Sequence, residues 1–185
     1  MAPTKSERTR ARIEQVALDL FEQRGFHQTT VAQIADAAGV AQMTFFRHFA
    51  SKSGVLFDDP YDPVIAAAVA EQPSALDPLT RTARAVRTAW AGLPEPQESV
   101  VRRKVRIVAQ TPSIASEMAG SNAATEASIV EVLREDGVEM LAARAAAAAT
   151  MAAVTAAILE WAAHEDLVLG EALLVAIETL ERRDG

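Results

Sequence analysis

Within six residues the chain collects four side chains suited to reading duplex DNA: Gln42, Met43, Thr44 and Arg47. Gln42 can pair with an adenine edge and Arg47 with guanine or a phosphate; Thr44 can reach a phosphate, and Met43 can touch a thymine methyl. Phe45 and Phe49 recur at i, i+4, so on a helix both rings face one side. Gln42, Met43, Thr44, Phe46, Arg47 and His48 are left to point elsewhere, and such a helix fits the major groove. Arg8, Arg10 and Arg12 stand ahead of the first apolar stripe. They can grip phosphate or the minor groove, or simply solvate a basic helix start. Lys52 lies near a helix N-terminus, where its charge opposes the dipole; a phosphate there would resolve the conflict.

These side chains need a scaffold of short helices, and the spacing supplies one. Ile13, Val16, Ala17, Leu20 and Phe21 form an apolar stripe that Gly25 ends. Thr30 followed three residues later by Gln33 is a capping box opening a helix over 31–38. Gly39 permits the positive φ of a tight turn, Ala35 lets two helices approach, and a further helix runs over 42–49. Val31, Ile34, Val40, Phe45 and Phe49 form the inner face against the first helix. Ser51 caps the next. This is a helix-turn-helix layout. By spacing alone it is equally a plain packing unit without a ligand.

The chain has 185 residues, half of them hydrophobic, enough for a core and too many for disorder. Its 18 Lys and Arg against 25 Asp and Glu give a formal charge of −7. Taken whole, that argues against nucleic acid as a partner. Placement changes the argument: residues 1–56 hold seven basic and five acidic side chains, +2, and the rest carries −9. All six Phe lie in the first 57 residues, whereas Trp90 and Trp161 lie beyond, so two different cores are expected. The absence of cysteine excludes disulfides, thiolate nucleophiles and zinc–thiolate sites, and fits a reducing compartment. No signal peptide is expected, and a cytoplasmic location follows. Residues 138–163 are apolar but carry Glu139, Arg144 and Glu160, so no membrane span is expected.

Later breaks leave helices near 64–71, 78–91, 97–110, 113–136, 138–164 and 167–183. Thirteen of the 26 residues 138–163 are Ala, but Met151, Val154, Ile158, Leu159 and Trp161 interrupt the tract, which favours ordered helix. Asp58, Asp59 and Asp62, with Pro60 and Pro63, read as a solvated, helix-breaking acidic turn.

The run Gly25-Phe26-His27-Gln28-Thr29-Thr30-Val31-Ala32-Gln33-Ile34-Ala35, then Gly39-Val40-Ala41-Gln42-Met43-Thr44-Phe45-Phe46-Arg47-His48-Phe49 and Ser51-Lys52, closely resembles the TetR family of transcriptional regulators. The motif match covers about residues 8–57; beyond it the likeness lies in helix number and an Ala-rich penultimate helix. The resemblance implies an all-α homodimer of about nine helices. Residues 1–56 would form a three-helix DNA-binding domain, with its helix-turn-helix motif at about 30–49. Residues 57–185 would form a helical ligand-binding and dimerisation domain. Thr30 then stands as a phosphate contact, and Gln42, Met43 and Thr44 as the start of the recognition helix. Phe46, His48 and Lys52 resemble the family's backbone-contacting aromatic, His and Lys. Two positions depart from the pattern. Phe46 replaces the usual Tyr and loses its phenolic hydrogen bond. Ala41 replaces a common Ser, a lost cap of ~1 kcal/mol.

The implied partners are a palindromic double-stranded operator, a second copy of the chain and an unidentified small effector, apolar or amphipathic. The two last long helices would pair with a second copy's in a four-helix bundle. Trp90, Met118, Met140, Met151 and Trp161 are the bulky, adaptable side chains available to a pocket, though each alone is more often core. No catalytic residue, metal or cofactor is expected. His27, His48 and His164 are scattered, and Ser51-Lys52-Ser53-Gly54 lacks the preceding glycines of a phosphate loop. The reading is a ligand-responsive dimeric repressor. The alternative is an all-helical small-molecule-binding or interaction protein without operator binding.

Overall fold

The computed structural model describes residues 3–57, 62–92 and 98–181. Among them every regular element is an α-helix: α1 (Lys5–Arg24), α2 (Val31–Ala37), α3 (Gln42–His48), α4 (Gly54–Phe57), α5 (Asp62–Glu71), α6 (Pro78–Gly92), α7 (Glu98–Ala109), α8 (Pro112–Glu135), α9 (Met140–Ala163) and α10 (Leu169–Glu181). Ten helices are thus described, in keeping with the expected all-α architecture of about nine. Asp58, Asp59 and Pro60 lie outside the described residues, as do the side chains of Asp62, Pro63 and Met118. The chain divides into two compact units, Met1–Asp58 with Ser99–Ala115, and Asp59–Glu98 with Ser116–Gly185. The first unit thus gathers residues 99–115 to the segment 1–56 that carries the motif.

In the first unit the capping chemistry is local. Thr4 and Glu7 close a capping box on α1, with Glu7 Oε2 accepting from the Thr4 amide at 2.6 Å and Thr4 Oγ1 from the Glu7 amide at 3.2 Å. The hydrogen bond from the Thr4 amide first, then the Thr4 hydroxyl, holds the Glu7 carboxyl below its ordinary range. α1 ends at Gly25, whose N–H reaches Phe21 O at 2.8 Å. Thr30 and Gln33 repeat the box on α2, at 3.2 and 2.9 Å. Gly39 turns the chain at φ 64°, a left-handed conformation that costs an L side chain about 1–2 kcal/mol. α3 starts at Ala41 with no side-chain cap, and Ser51 Oγ caps α4 through the Gly54 amide at 2.9 Å.

Ile13, Ala17, Leu18, Phe21, Phe26, Ile34, Ala35, Phe45, Phe49, Val55 and Leu56 are buried. Leu18 joins the buried face of α1, while Val16 and Leu20 from the expected stripe are only half-buried, as are Val31 and Val40. α7 is tied to α1 by ions: Arg103 pairs with Asp19 and Glu22 at 2.6 Å each, and Lys104 with Glu14 at 2.5 Å.

In the second unit α9 packs against α6 and α10, α10 against α6, and α5 against α6. Its core joins Ala68, Val69, Ala85, Ala89, Ile129 and Leu133 to Ala143, Ala146, Ala147 and Met151 of α9. Alanine here keeps helix axes close at a small buried area per residue. Glu139 caps α9 through the amides of Leu141 and Ala142 at 2.8 and 3.2 Å. Buried polar side chains, Thr82, Thr150 and Arg81, lie among these apolar groups. Thr82 and Thr150 hydroxyls meet at 2.7 Å, and Arg81, 1% exposed, pairs with Asp136 at 2.6 Å and donates to Val69 O at 3.1 Å. Among the described residues α9 is the one helix long and apolar enough to cross a membrane; nine of its residues, from Ala143 to Ala162, are instead buried by protein.

Candidate nucleic-acid interface

At about 100° per residue, the exposed arc of α3 runs Gln42, Phe46, Met43, Arg47, with Thr44 half-buried at its edge. The two apolar residues occupy the middle, Met43 78% and Phe46 48% exposed. The opposite arc is the buried pair Phe45 and Phe49, whose ring centroids lie 5.6 Å apart. The Phe46 ring stands edge-on to Phe45 at 5.5 Å and 85°. Thr30 is exposed at the start of α2; its hydroxyl accepts from the Gln33 amide, and its O–H remains a donor.

Two cations expected at the DNA backbone are engaged inside the unit. Lys52 Nζ donates to Phe26 O at 2.7 Å and Thr29 O at 2.8 Å, and lies 4.0 Å from the centre of the Phe26 ring. Burial pulls its pKa down, while the two carbonyl oxygens and the ring face favour the ammonium. The dipole conflict read from the sequence is thus answered by the α1–α2 turn. Arg10 Nη1 donates to His48 O at 2.7 Å, its guanidinium 4.4 Å from the Phe49 ring centre, so α1 caps the end of α3. Both cations use one device, a helix-end or turn carbonyl plus an aromatic face.

Arg8 is exposed and donates to Pro3 O at 2.5 Å; Arg12 and Arg47 are exposed. His48 is half-buried, its Nε2 buried without a hydrogen-bond partner. Burial first, then the charges of Arg47 and Arg10, lower its pKa. Its imidazole is therefore neutral near pH 7. The clamps of Arg10 and Lys52 carry no signal in local spacing, because their partners lie 38, 26 and 23 residues away.

The first unit contains eleven basic and six acidic side chains, +5, against −12 for the second. α7 adds four cations to the +2 of residues 1–56, Arg102, Arg103, Lys104 and Arg106, and Asp58 removes one charge.

Of the candidate effector residues, Met140 and Trp161 stand at opposite ends of α9. Met151 belongs to the packed core and Trp161 is fully buried, whereas Met140 is exposed. Met140 and Trp161 are 21 residues apart on one helix, ~32 Å at 1.5 Å per residue, too far to line one drug-sized cavity. Trp90 is half-buried, with Nε1 3.0 Å from where a Cβ on Gly170 would stand.

Comparison with known proteins agrees with this architecture. Residues 13–58 match the bacterial regulatory proteins of the tetR family, and residues 76–184, more than half of the chain, match the MftR C-terminal domain. The HTH-type transcriptional regulator TcmR of Streptomyces glaucescens is 31% identical over 144 residues, 74% of this chain and 64% of that protein. MftR of Mycobacterium tuberculosis is 32% identical over 108 residues, 55% of this chain and 52% of its own length. The chain thus spans less than two thirds of either relative. In fold it resembles NalD, the secondary repressor of the MexAB-OprM multidrug efflux pump in Pseudomonas aeruginosa, with a TM-score of 0.62 at 21% identity, covering 96% of each chain. SmeT of Stenotrophomonas maltophilia, solved with triclosan, gives 0.62 at 19% identity, covering 94% of this chain and 90% of that one. By its helix-turn-helix segment and its C-terminal domain alike, the chain belongs to the TetR family of transcriptional regulators.

Proposed function

We propose that the protein is a ligand-responsive, dimeric, cytoplasmic repressor whose residues 1–56 bind a palindromic operator and whose residues 57–185 dimerise and bind an effector. The observation that carries this reading is α3: a short helix with Gln42, Met43, Phe46 and Arg47 exposed on one arc and Phe45 and Phe49 anchoring the other. Gln42 and Arg47 supply base-edge donors and acceptors, and Thr30 and Thr44 hydroxyls face phosphates. Arg8 reaches the backbone nearby; Arg10 holds the end of α3 through His48 O, and Lys52 holds the α1–α2 turn through Phe26 O and Thr29 O. The +5 of the compact unit formed by residues 1–58 and 99–115 favours a polyanion, while the −12 of the other unit limits non-specific binding.

Dimerisation is supported by apolar surface on α9 and around α10: Leu141 is 73% and Val175 65% exposed, with Val168 and Leu174 also exposed. Exposed Ala145, Ala148, Ala152 and Ala156 continue along α9, a strip on which a second helix can approach closely. A two-fold axis also matches a palindrome. We assign that surface to a second copy and not to lipid. An apolar or amphipathic effector fits an interior dominated by Ala, Val, Ile and Leu, and the triclosan complex of SmeT is a precedent in this fold. Effector binding would shift the population of heads away from the ~34 Å half-site spacing.

The test is a gel shift on DNA flanking the protein's own gene at two salt concentrations. A specific complex of two protomers per duplex with a steep salt dependence is expected. No retardation at either salt would overturn the reading in favour of a helical binding protein without an operator.

A further inference from the structure

We propose that α3 reads thymine methyl groups, with Met43 and Phe46 as a paired apolar reader. Each half-site then presents two neighbouring C5 methyls beside the bases read by Gln42 and Arg47. This rests on the operator-binding reading above and gives its base chemistry. It also moves Phe46 from the DNA backbone, where the family resemblance puts an aromatic, to the base edges.

The argument begins with exposure. Among the described residues seven large hydrophobics are exposed, and five of them lie on α9, α10 or the segment joining them. The other two are Met43 and Phe46, both on the seven-residue helix α3. They are spaced i, i+3, so their Cβ atoms stand about 5–6 Å apart on one face. That spacing reaches the methyls of adjacent base pairs, which step ~3.4 Å along the duplex axis. Gln42 and Arg47 flank them, so an apolar centre lies between two hydrogen-bonding edges.

Chemistry then selects the occupant. Phe46 has no hydroxyl, and against a phosphate its ring would displace water without replacing the hydrogen bonds. Against a methyl it excludes water from two apolar groups at once. The only methyl in the major groove of unmodified DNA is that of thymine. Phe46 is also braced: its ring stands edge-on against Phe45, which is fully buried. Little side-chain freedom is then lost on docking. Met43, unbranched and adaptable, can follow the second methyl.

The experiment first maps the protected half-sites, then replaces each thymine in turn by deoxyuridine, which deletes the methyl and keeps every hydrogen-bonding group. Kd is read by fluorescence anisotropy. Two positions per half-site should weaken binding about fourfold each, the transfer of one methyl group, and the four together by on the order of a hundredfold. Met43→Ala should abolish the uracil effect at one position and Phe46→Ala at the other. Both positions are exposed, so both variants fold, which circular dichroism checks. Full affinity for an operator with every thymine replaced would overturn the proposal and leave operator binding intact. So would uracil effects that persist undiminished in both variants. If no DNA is protected at all, the operator reading fails and this inference fails with it.

Discussion

Lys52 separates two roles that residue type alone cannot distinguish. In Lys52→Met the aliphatic stem over Phe26 remains, and the ammonium bonds to Phe26 O (2.7 Å) and Thr29 O (2.8 Å) are lost. Charge-assisted hydrogen bonds contribute about 1.5–3 kcal/mol each, and the ring contact about 0.5–1 kcal/mol. Against these stand the desolvation of the ammonium and about 2 kcal/mol of lysine rotamer entropy. The site is only half-buried, so solvent screening reduces the electrostatic part further. The net is ~1–2 kcal/mol, which for a chain of this length lowers Tm by about 3–6 °C. Operator affinity should fall evenly across sequences, because the α1–α2 turn loses its tie to the turn before α4. The decisive readout is the slope of log K against log salt. A phosphate-neutralising lysine contributes ~0.9 per protomer, so removing it from a dimer flattens the slope by ~1.8. For an internal clamp the slope stays unchanged while Tm falls. A flattened slope with Tm unmoved would refute the reasoning.

Arg103→Met removes two ion pairs to carboxylates that are nearly half exposed, together ~1 kcal/mol, so Tm should drop about 2–4 °C at 50 mM salt. At 1 M salt the Debye length is ~3 Å and the difference should vanish; melts that differ equally at both salts would contradict an ionic tie. His48 gives a pH dependence. Its folded pKa is depressed by burial and by Arg47 and Arg10, so the unfolded chain takes up the proton first as pH falls. This contribution is complete above ~6.5 and is lost as pH drops through the folded value. His48→Gln should therefore flatten the decline in Tm between pH 7.5 and 5, and parallel declines in the two proteins would exclude His48 as its source.

What could be read along the chain is what is local in it. The capping box of Thr30 with Gln33, the positive φ at Gly39 and the uncapped start at Ala41 involve partners within a turn of each other. For the same reason Gln42, Met43, Thr44, Phe46, Arg47 and His48 could be set apart from Phe45 and Phe49 from spacing, while the half-burial of Thr44 and His48 came from the fold. The Thr30 and Thr29 pair shows where such reading stops. The Thr30 cap follows from the Gln33 spacing, but Thr29 is buried by the fold of the turn, where its hydroxyl is satisfied by Gly25 O at 3.0 Å.

Charge was the least legible quantity. The sequence by itself determined the number of cations and the basic excess of residues 1–56. Only the tertiary structure decided that α7 adds four more to the same unit, and that Arg10 and Lys52 face carbonyl oxygens and aromatic rings within it. A cation's partner is set by which acceptor lies within ~3 Å, and for these side chains that acceptor arrives from a distant turn or helix end. Helix type and face follow from residues three and four apart. The assignment of charge to DNA or to the protein's own backbone follows from packing.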